Sequence, residues 1–174
     1  NDSNNGNSSS SAYKTIQKGI DSATAGDTIF VYDGTYEENI DLKGKWVHLR
    51  SVNGSSNCII KSPNNSNNVI TASSGETLKT EVVGFTIKGG NIGIKLSNDS
   101  FPVITNNLIT GNITAVEAPA DGINGNLYGN TYSANNSSYI NITGSTFGNS
   151  NNNTTRTWKQ DGGPYLISTD LTIA

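Results

Sequence analysis

Gly84-Phe85-Thr86-Ile87-Lys88-Gly89-Gly90-Asn91 is the stretch on which the fold turns. It returns in altered form as Asn106-Asn107-Leu108-Ile109-Thr110-Gly111-Asn112, then as Gly129-Asn130-Thr131-Tyr132-Ser133-Ala134-Asn135, and again as Gly144-Ser145-Thr146-Phe147-Gly148-Asn149. The first three copies are spaced by about 22 residues, a solenoid period rather than a globular one. The fourth comes sooner, so the final turn is shortened or irregular.

Three strands of about four residues plus their turns use up such a period, and each coil can pair its backbone with the next in parallel. Stacking then sets equivalent side chains in columns. Phe85, Ile87, Leu108 and Ile109 are expected to fill the interior, and Asn91, Asn112 and Asn135 to stack at a turn and hydrogen-bond along the rod.

Working outward, short β-rich runs separated by Gly, Asn and Ser occupy the chain from Thr28 onward. Strands are expected near 28–32, 39–42, 46–51, 57–61, 69–72, 81–88, 92–96, 103–104, 107–110, 113–117, 139–142 and 165–173. Ile92, Ile94 and Leu96 alternate with Gly93 and Lys95, so one face turns inward and the other toward water. Upstream, Tyr13, Ile16, Ile20 and Ala23 fall at helical spacing, with Gly26 as the stop signal. That helix is well placed to close the N-terminal end of the rod, where an uncapped coil would expose strand edges. Residues 1–11 hold nothing apolar to bury and are expected to be a disordered tail.

The domain reading is a polar tail over 1–12, a parallel β-helix over 13–157 and a C-terminal strand segment over 158–174. The last includes Tyr165, Leu166, Ile167, Leu171 and Ile173, an apolar run that stops without a turn. It reads as an assembly strand that pairs with a neighbouring subunit by β-strand addition, or as the start of a further domain.

Of the 174 residues 14% are charged and the formal net charge is -3, with no cluster of Lys and Arg. Nucleic acid is excluded as a partner, because phosphate binding needs a concentrated basic surface. No apolar run reaches the length of a membrane helix. Asn, Ser, Thr and Gly dominate the polar positions, an extracellular composition. Sequons at Asn53, Asn64, Asn98, Asn112, Asn135, Asn141 and Asn152 are glycosylation candidates that fit export. One cysteine, Cys58, permits no disulfide within the chain and reads as a buried small hydrophobe.

The segment Tyr13-Lys14-Thr15-Ile16-Gln17-Lys18-Gly19-Ile20-Asp21-Ser22-Ala23-Thr24-Ala25-Gly26-Asp27-Thr28-Ile29-Phe30-Val31-Tyr32-Asp33-Gly34-Thr35-Tyr36-Glu37-Glu38-Asn39-Ile40 resembles the opening of pectate-lyase-like right-handed β-helix proteins. The coils from Asn53-Gly54 to Ile60 and from Glu81 to Gly90 look like those of NosD-like secreted repeat proteins. The resemblance spans roughly Tyr13 to Asn149. It implies an all-β, right-handed parallel β-helix with an N-terminal capping helix. It does not imply one activity, since that superfamily includes lyases, hydrolases, epimerases, esterases, adhesins and surface-layer proteins.

Lyases and hydrolases of that fold carry acids at the coil period on one solvent-facing sheet; here acids do not recur at that period. Asp33, Glu37, Glu38 and Asp41 form the densest acidic stretch, a candidate site for a cation such as Ca²⁺ or else a solvated turn. Asp121-Gly122-Ile123-Asn124-Gly125-Asn126 spaces oxygens like a calcium loop but lacks the closing glutamate. His48, the one histidine, shares a strand face with Trp46 and Arg50 and has no nucleophile motif nearby. Tyr32, Tyr36 and Trp46 are the candidates for stacking on carbohydrate, with Tyr128 and Tyr132 behind them; packing is the competing explanation.

The expectation for function is a non-enzymatic structural protein of the cell surface that self-associates into a fibre or layer and needs no cofactor. The alternatives are a polysaccharide-binding module or polysaccharide lyase, and a fragment of a larger surface protein or adhesin.

Overall fold

The computed structural model describes residues 1–97, 99–123, 126–143, 146–147, 164–167 and 172–173. These form a parallel β-solenoid of about five coils, the fold class that the repeat implies.

Each coil contributes one strand to each of three sheets. The first holds β1 (Asp27–Val31), β2 (Gly34–Glu37) and β3 (Ile40–Asp41). The second holds β4 (Val47–Ser51), β5 (Cys58–Lys61) and β6 (Ile70–Ala72); the third β7 (Glu81–Val83), β8 (Thr86–Lys88) and β9 (Ile92–Leu96). The fourth holds β10 (Val103–Thr105), β11 (Leu108–Thr110) and β12 (Thr114–Pro119), and the fifth β13 (Leu127–Tyr128), β14 (Thr131–Ser133) and β15 (Ser137–Thr143). Then come β16 (Thr146–Phe147), β17 (Tyr165–Ile167) and β18 (Thr172–Ile173). The sheet orders are β1-β4-β7-β10-β13, β2-β5-β8-β11-β14 and β3-β6-β9-β12-β15-β17, all parallel, with β16 and β18 paired apart.

Like residues do stack in files. In the second sheet Tyr36, Ile60, Ile87, Ile109 and Tyr132 stand in register, an aliphatic column with a tyrosine at either end. In the third sheet Ile40, Ile70, Ile94, Val116, Ile140 and Tyr165 do the same. The middle members are fully buried, and each such side chain contributes about 1.5–3 kcal/mol by leaving water. The tyrosine rings at the column ends pack against the core.

Two details of the interior differ from expectation. Leu108 turns outward in register with Thr86 and Thr131 and is half-buried, while Ile109 fills the core. Adjacent strand residues face opposite sides, so the two cannot both point inward. The run 81–88 is also two strands, because Gly84 at φ +84 bends the chain between sheets.

The amide stack exists but has other members and a twin. Asn112 donates from its backbone N and from Nδ2 to Asn135 Oδ1, at 2.9 and 3.1 Å, and its own Oδ1 accepts from Gly90 N at 3.0 Å. Gly90, not Asn91, therefore holds the third position, and a Cβ there would lie 2.7 Å from Val69. Asn91 instead donates its backbone N–H to Asn67 O. Five residues upstream of Asn112 a second ladder repeats the pattern: Asn107 N and Nδ2 reach Asn130 Oδ1, while Asn107 Oδ1 accepts from Phe85 N. Each ladder closes turns whose inward-directed amides would otherwise be orphaned in the core.

Helix α1 (Ile16–Ser22) is shorter than the expected span; Thr15 caps it by accepting from Lys18 N, and Ile16 and Ile20 are buried against the first coil. The N-terminal segment is not a loose tail. Asp2 accepts from Lys14 N and from Thr15 N and Oγ1, Asn4 Nδ2 donates to Ala12 O, and Ser9–Ser11 form a 3₁₀ turn. Side-chain amides and a carboxylate supply there what hydrophobic burial does not.

In the C-terminal run Tyr165, Leu166 and Ile167 pair with Ile140, Asn141 and Ile142 of the same chain, which makes β17 the outer strand of the third sheet. Ile173 lies in β18, opposite Phe147 of β16, and Leu171 lies outside the described residues.

Asn112→Ala removes the rung and takes from the buried Gly90 N–H the acceptor it has in Asn112 Oδ1. It should cost about 2–4 kcal/mol in urea unfolding. The exposed Asn64→Ala should stay within about 0.5 kcal/mol.

Candidate functional site

The acids of the first coil do not converge. Asp33 accepts from Asn53 Nδ2 at 3.0 Å and Glu37 pairs with Lys61 at 2.7 Å. Glu38 turns the other way and accepts from Ile16 N and Gln17 N, at 2.8 and 3.0 Å, holding the first amides of α1. Asp41 Oδ1 accepts from Lys43 N. The four side chains make separate contacts in this structure: Glu37 is the last residue of strand β2, Asp33 and Glu38 flank that strand and Asp41 ends β3. Among the described residues no three His, Cys, Asp or Glu side chains gather as metal ligands. In the calcium-like stretch, Asn126 Nδ2 donates to Pro102 O and Gly122 O, and Asn124 and Gly125 lie outside the described residues.

The aromatic candidates divide. Tyr36 donates its hydroxyl to Tyr32 O at 3.0 Å, and both line a cleft of about 780 Å³ between β1 and the segment made of the N-terminal turn and α1. Tyr13, Ile16, Ile29 and Phe30 also line it. Phe30, 63% exposed, was not singled out by the sequence, where it reads as one more alternating strand residue. Trp46 stands elsewhere, with the Lys79 ammonium 4.6 Å from its ring centroid. Tyr132 is core packing, as its place at the column end shows.

Strand β1 is the edge of its sheet. Along a parallel ladder alternate residues turn their N–H and C=O to opposite sides. Val31 O accepts from Val52 N, so Val31 and Ile29 face β4, and Thr28 and Phe30 direct their backbone groups into the cleft. The third sheet is closed at this end, where Gln17 of α1 bonds both Asp41 N and Asp41 O in β3.

His48 Nδ1 comes within 3.2 Å of Glu81 without hydrogen-bond geometry, and Glu81 pairs with Arg50 across the same ladder. Glu76, missed in the sequence, is fully buried in the loop after β6. Its carboxylate accepts from Gly44 N, Ser74 N and Ser100 Oγ, tying three coils together. A local signal for it is lacking, because Gly44 and Ser100 come from other coils and only Ser74 is near it in sequence.

The sequons fall into different environments. Asn53 and Asn64 are exposed. Asn112 is buried and Asn135 half-buried, with Asn112 Nδ2 donating to Ile87 O and Asn135 Nδ2 to Ile109 O, so a glycan on either would break a ladder. Asn141 is half-buried on the third sheet, and Asn98 and Asn152 lie outside the described residues.

A family model described as a protein of unknown function, DUF1565, matches residues 1–45, the span that carries the N-terminal turn, α1, the first coil and the cleft. Together with the solenoid, that match is consistent with a parallel β-helix family. No curated protein and no solved structure matches the chain. No helix among the described residues is long and apolar enough to cross a membrane.

Cys58 is fully buried beside Tyr32, and burial, with the Asp33 charge added, pushes its thiol up to about 12. The folded chain at pH 8 should therefore leave Cys58 unreacted with a disulfide reagent, and denaturant should release one thiol per chain. Rapid native labelling would show that the coil opens there.

Proposed function

We propose that this chain is a non-enzymatic structural protein of the cell exterior, a rod of the pectate-lyase-like, NosD-like type that self-associates through its N-terminal end. The open edge of β1 carries this reading. Exposed edges are normally blunted by Lys, Pro or a bulge, yet Asp27-Thr28-Ile29-Phe30-Val31 has none of these and presents Phe30 to solvent. An extended segment of a second copy, laid along Thr28 and Phe30, would continue the ladder of the first sheet. The scatter of the acids favours this over catalysis, since glycoside cleavage calls for two carboxylates facing one bond.

Secretion is part of the same reading and rests on the amide- and hydroxyl-rich surface. The cleft also favours a second reading, in which a neutral polysaccharide stacks on Phe30 and Tyr32.

Sedimentation over a wide concentration range separates them. Wild type should grow beyond the monomer, and Phe30→Lys should return it to the monomer with an unchanged melting curve. A wild type that stays monomeric at every concentration overturns the assembly reading, and retention on a neutral glycan column, lost in Phe30→Ala, would then support the second.

A further inference from the structure

On the outer face of the third sheet, Thr71, Lys95, Glu117, Asn141 and Leu166 form one register column on successive coils. The middle three differ from an ordinary surface file. Lys95 forms an ion pair with Glu117, and the two side chains are only 29% and 19% exposed. Asn141, next along the column, has its Oδ1 buried with no hydrogen-bond partner. An amide oxygen so placed is costly unless something else makes use of it.

The spacing allows a bond. Lys95 and Asn141 stand two strand spacings apart, about 10 Å between backbones. An extended lysine side chain, five bonds from Cα to Nζ, and the two bonds from asparagine Cα to its amide carbon close that gap. Glu117 lies between them and can touch both. Burial holds the Lys95 amine below the usual lysine range, which favours the neutral, nucleophilic form.

We propose that Lys95 and Asn141 become joined by an intramolecular isopeptide bond, with Glu117 as the proton carrier. With the lysine proton passed to Glu117, the neutral amine attacks Asn141 Cγ. Glu117 then returns a proton to the amide nitrogen as the tetrahedral adduct collapses. The Nζ–Cγ bond forms, the Cγ–Nδ2 bond breaks and ammonia leaves; no oxidant, reductant or nucleotide is needed. The product staples the third coil to the fifth across the fourth, so that coils cannot peel from one another along that stretch. A glycan on Asn141 and this bond are mutually exclusive, since both use the same side-chain amide. The inference stands apart from the assembly reading, because it concerns a different face and different residues.

Intact mass of the full folded chain, followed by tandem mass spectrometry of a digest, tests it. The expected result is a chain lighter by one ammonia, with a branched peptide joining Lys95 to Asn141. Lys95→Arg, which keeps the ion pair, should restore the unmodified mass. Glu117→Gln should do the same while the circular dichroism spectrum stays that of the wild type. Asn141→Asp should lose one water instead, because a carboxyl can replace the amide as acceptor. A folded wild type of unmodified mass whose Lys95 amine is acetylated by an amine reagent overturns the proposal. So does an ammonia loss that maps to a succinimide at a single asparagine.

Discussion

Register between coils is the constraint from which the rest of this molecule follows. A parallel ladder directs the N–H and C=O of each strand residue to the coil above or below, so no coil can satisfy its own backbone. Once two coils pair, their side chains must stand in files, and a file of isoleucines becomes a core while a file of asparagines becomes a hydrogen-bonded ladder. Asn107 and Asn112 show why amides occupy the corners. Each side chain accepts from and donates to the backbone of the preceding coil, and its Nδ2 donates again to an asparagine of the following coil, a set of contacts that a carboxylate, which only accepts, cannot make.

The same geometry explains where chemistry does and does not gather. Residues close in sequence are sent to different faces within a coil, so the acids at 33, 37, 38 and 41 end in four unrelated contacts. Residues about one coil apart are brought together instead, as in the column of Lys95, Glu117 and Asn141. Interior strands are satisfied on both sides, which leaves the ends as the places where a solenoid can meet something else. At the N-terminal end α1 packs on both β1 and β3 and bonds the third sheet through Gln17, while Phe30 of β1 stays exposed.

Much of this was legible in the chain. The echo of Gly84–Asn91 at Asn106–Asn112 and Gly129–Asn135 carried the period, and the period carried the parallel pairing. The helix, and most strands of the middle coils, followed from apolar spacing. β2, β13 and β14 were not legible, because Gly34-Thr35-Tyr36-Glu37, Leu127-Tyr128 and Thr131-Tyr132-Ser133 are short and mostly polar, and only a neighbouring coil makes them strands. The order of residues 1–12 was hidden for a related reason: its stability lies in Asp2 and Asn4 reaching Thr15 and Ala12, not in burial.

By itself, then, the sequence determined a stacked parallel β architecture with an aliphatic interior and amide corners, since those depend on a repeat and on which residue types recur within it. Only the tertiary structure decided the offset between coils, and with it which side chains meet. Gly90 rather than Asn91 completes a rung, Glu76 is buried between three coils, β17 joins its own sheet and β1 keeps an open edge. Loops of unequal length between coils shift the offset from 22 residues, where Thr86 meets Leu108, to 33, where His48 meets Glu81. A neighbour relation of that kind is a property of stacking, and no window of sequence contains it.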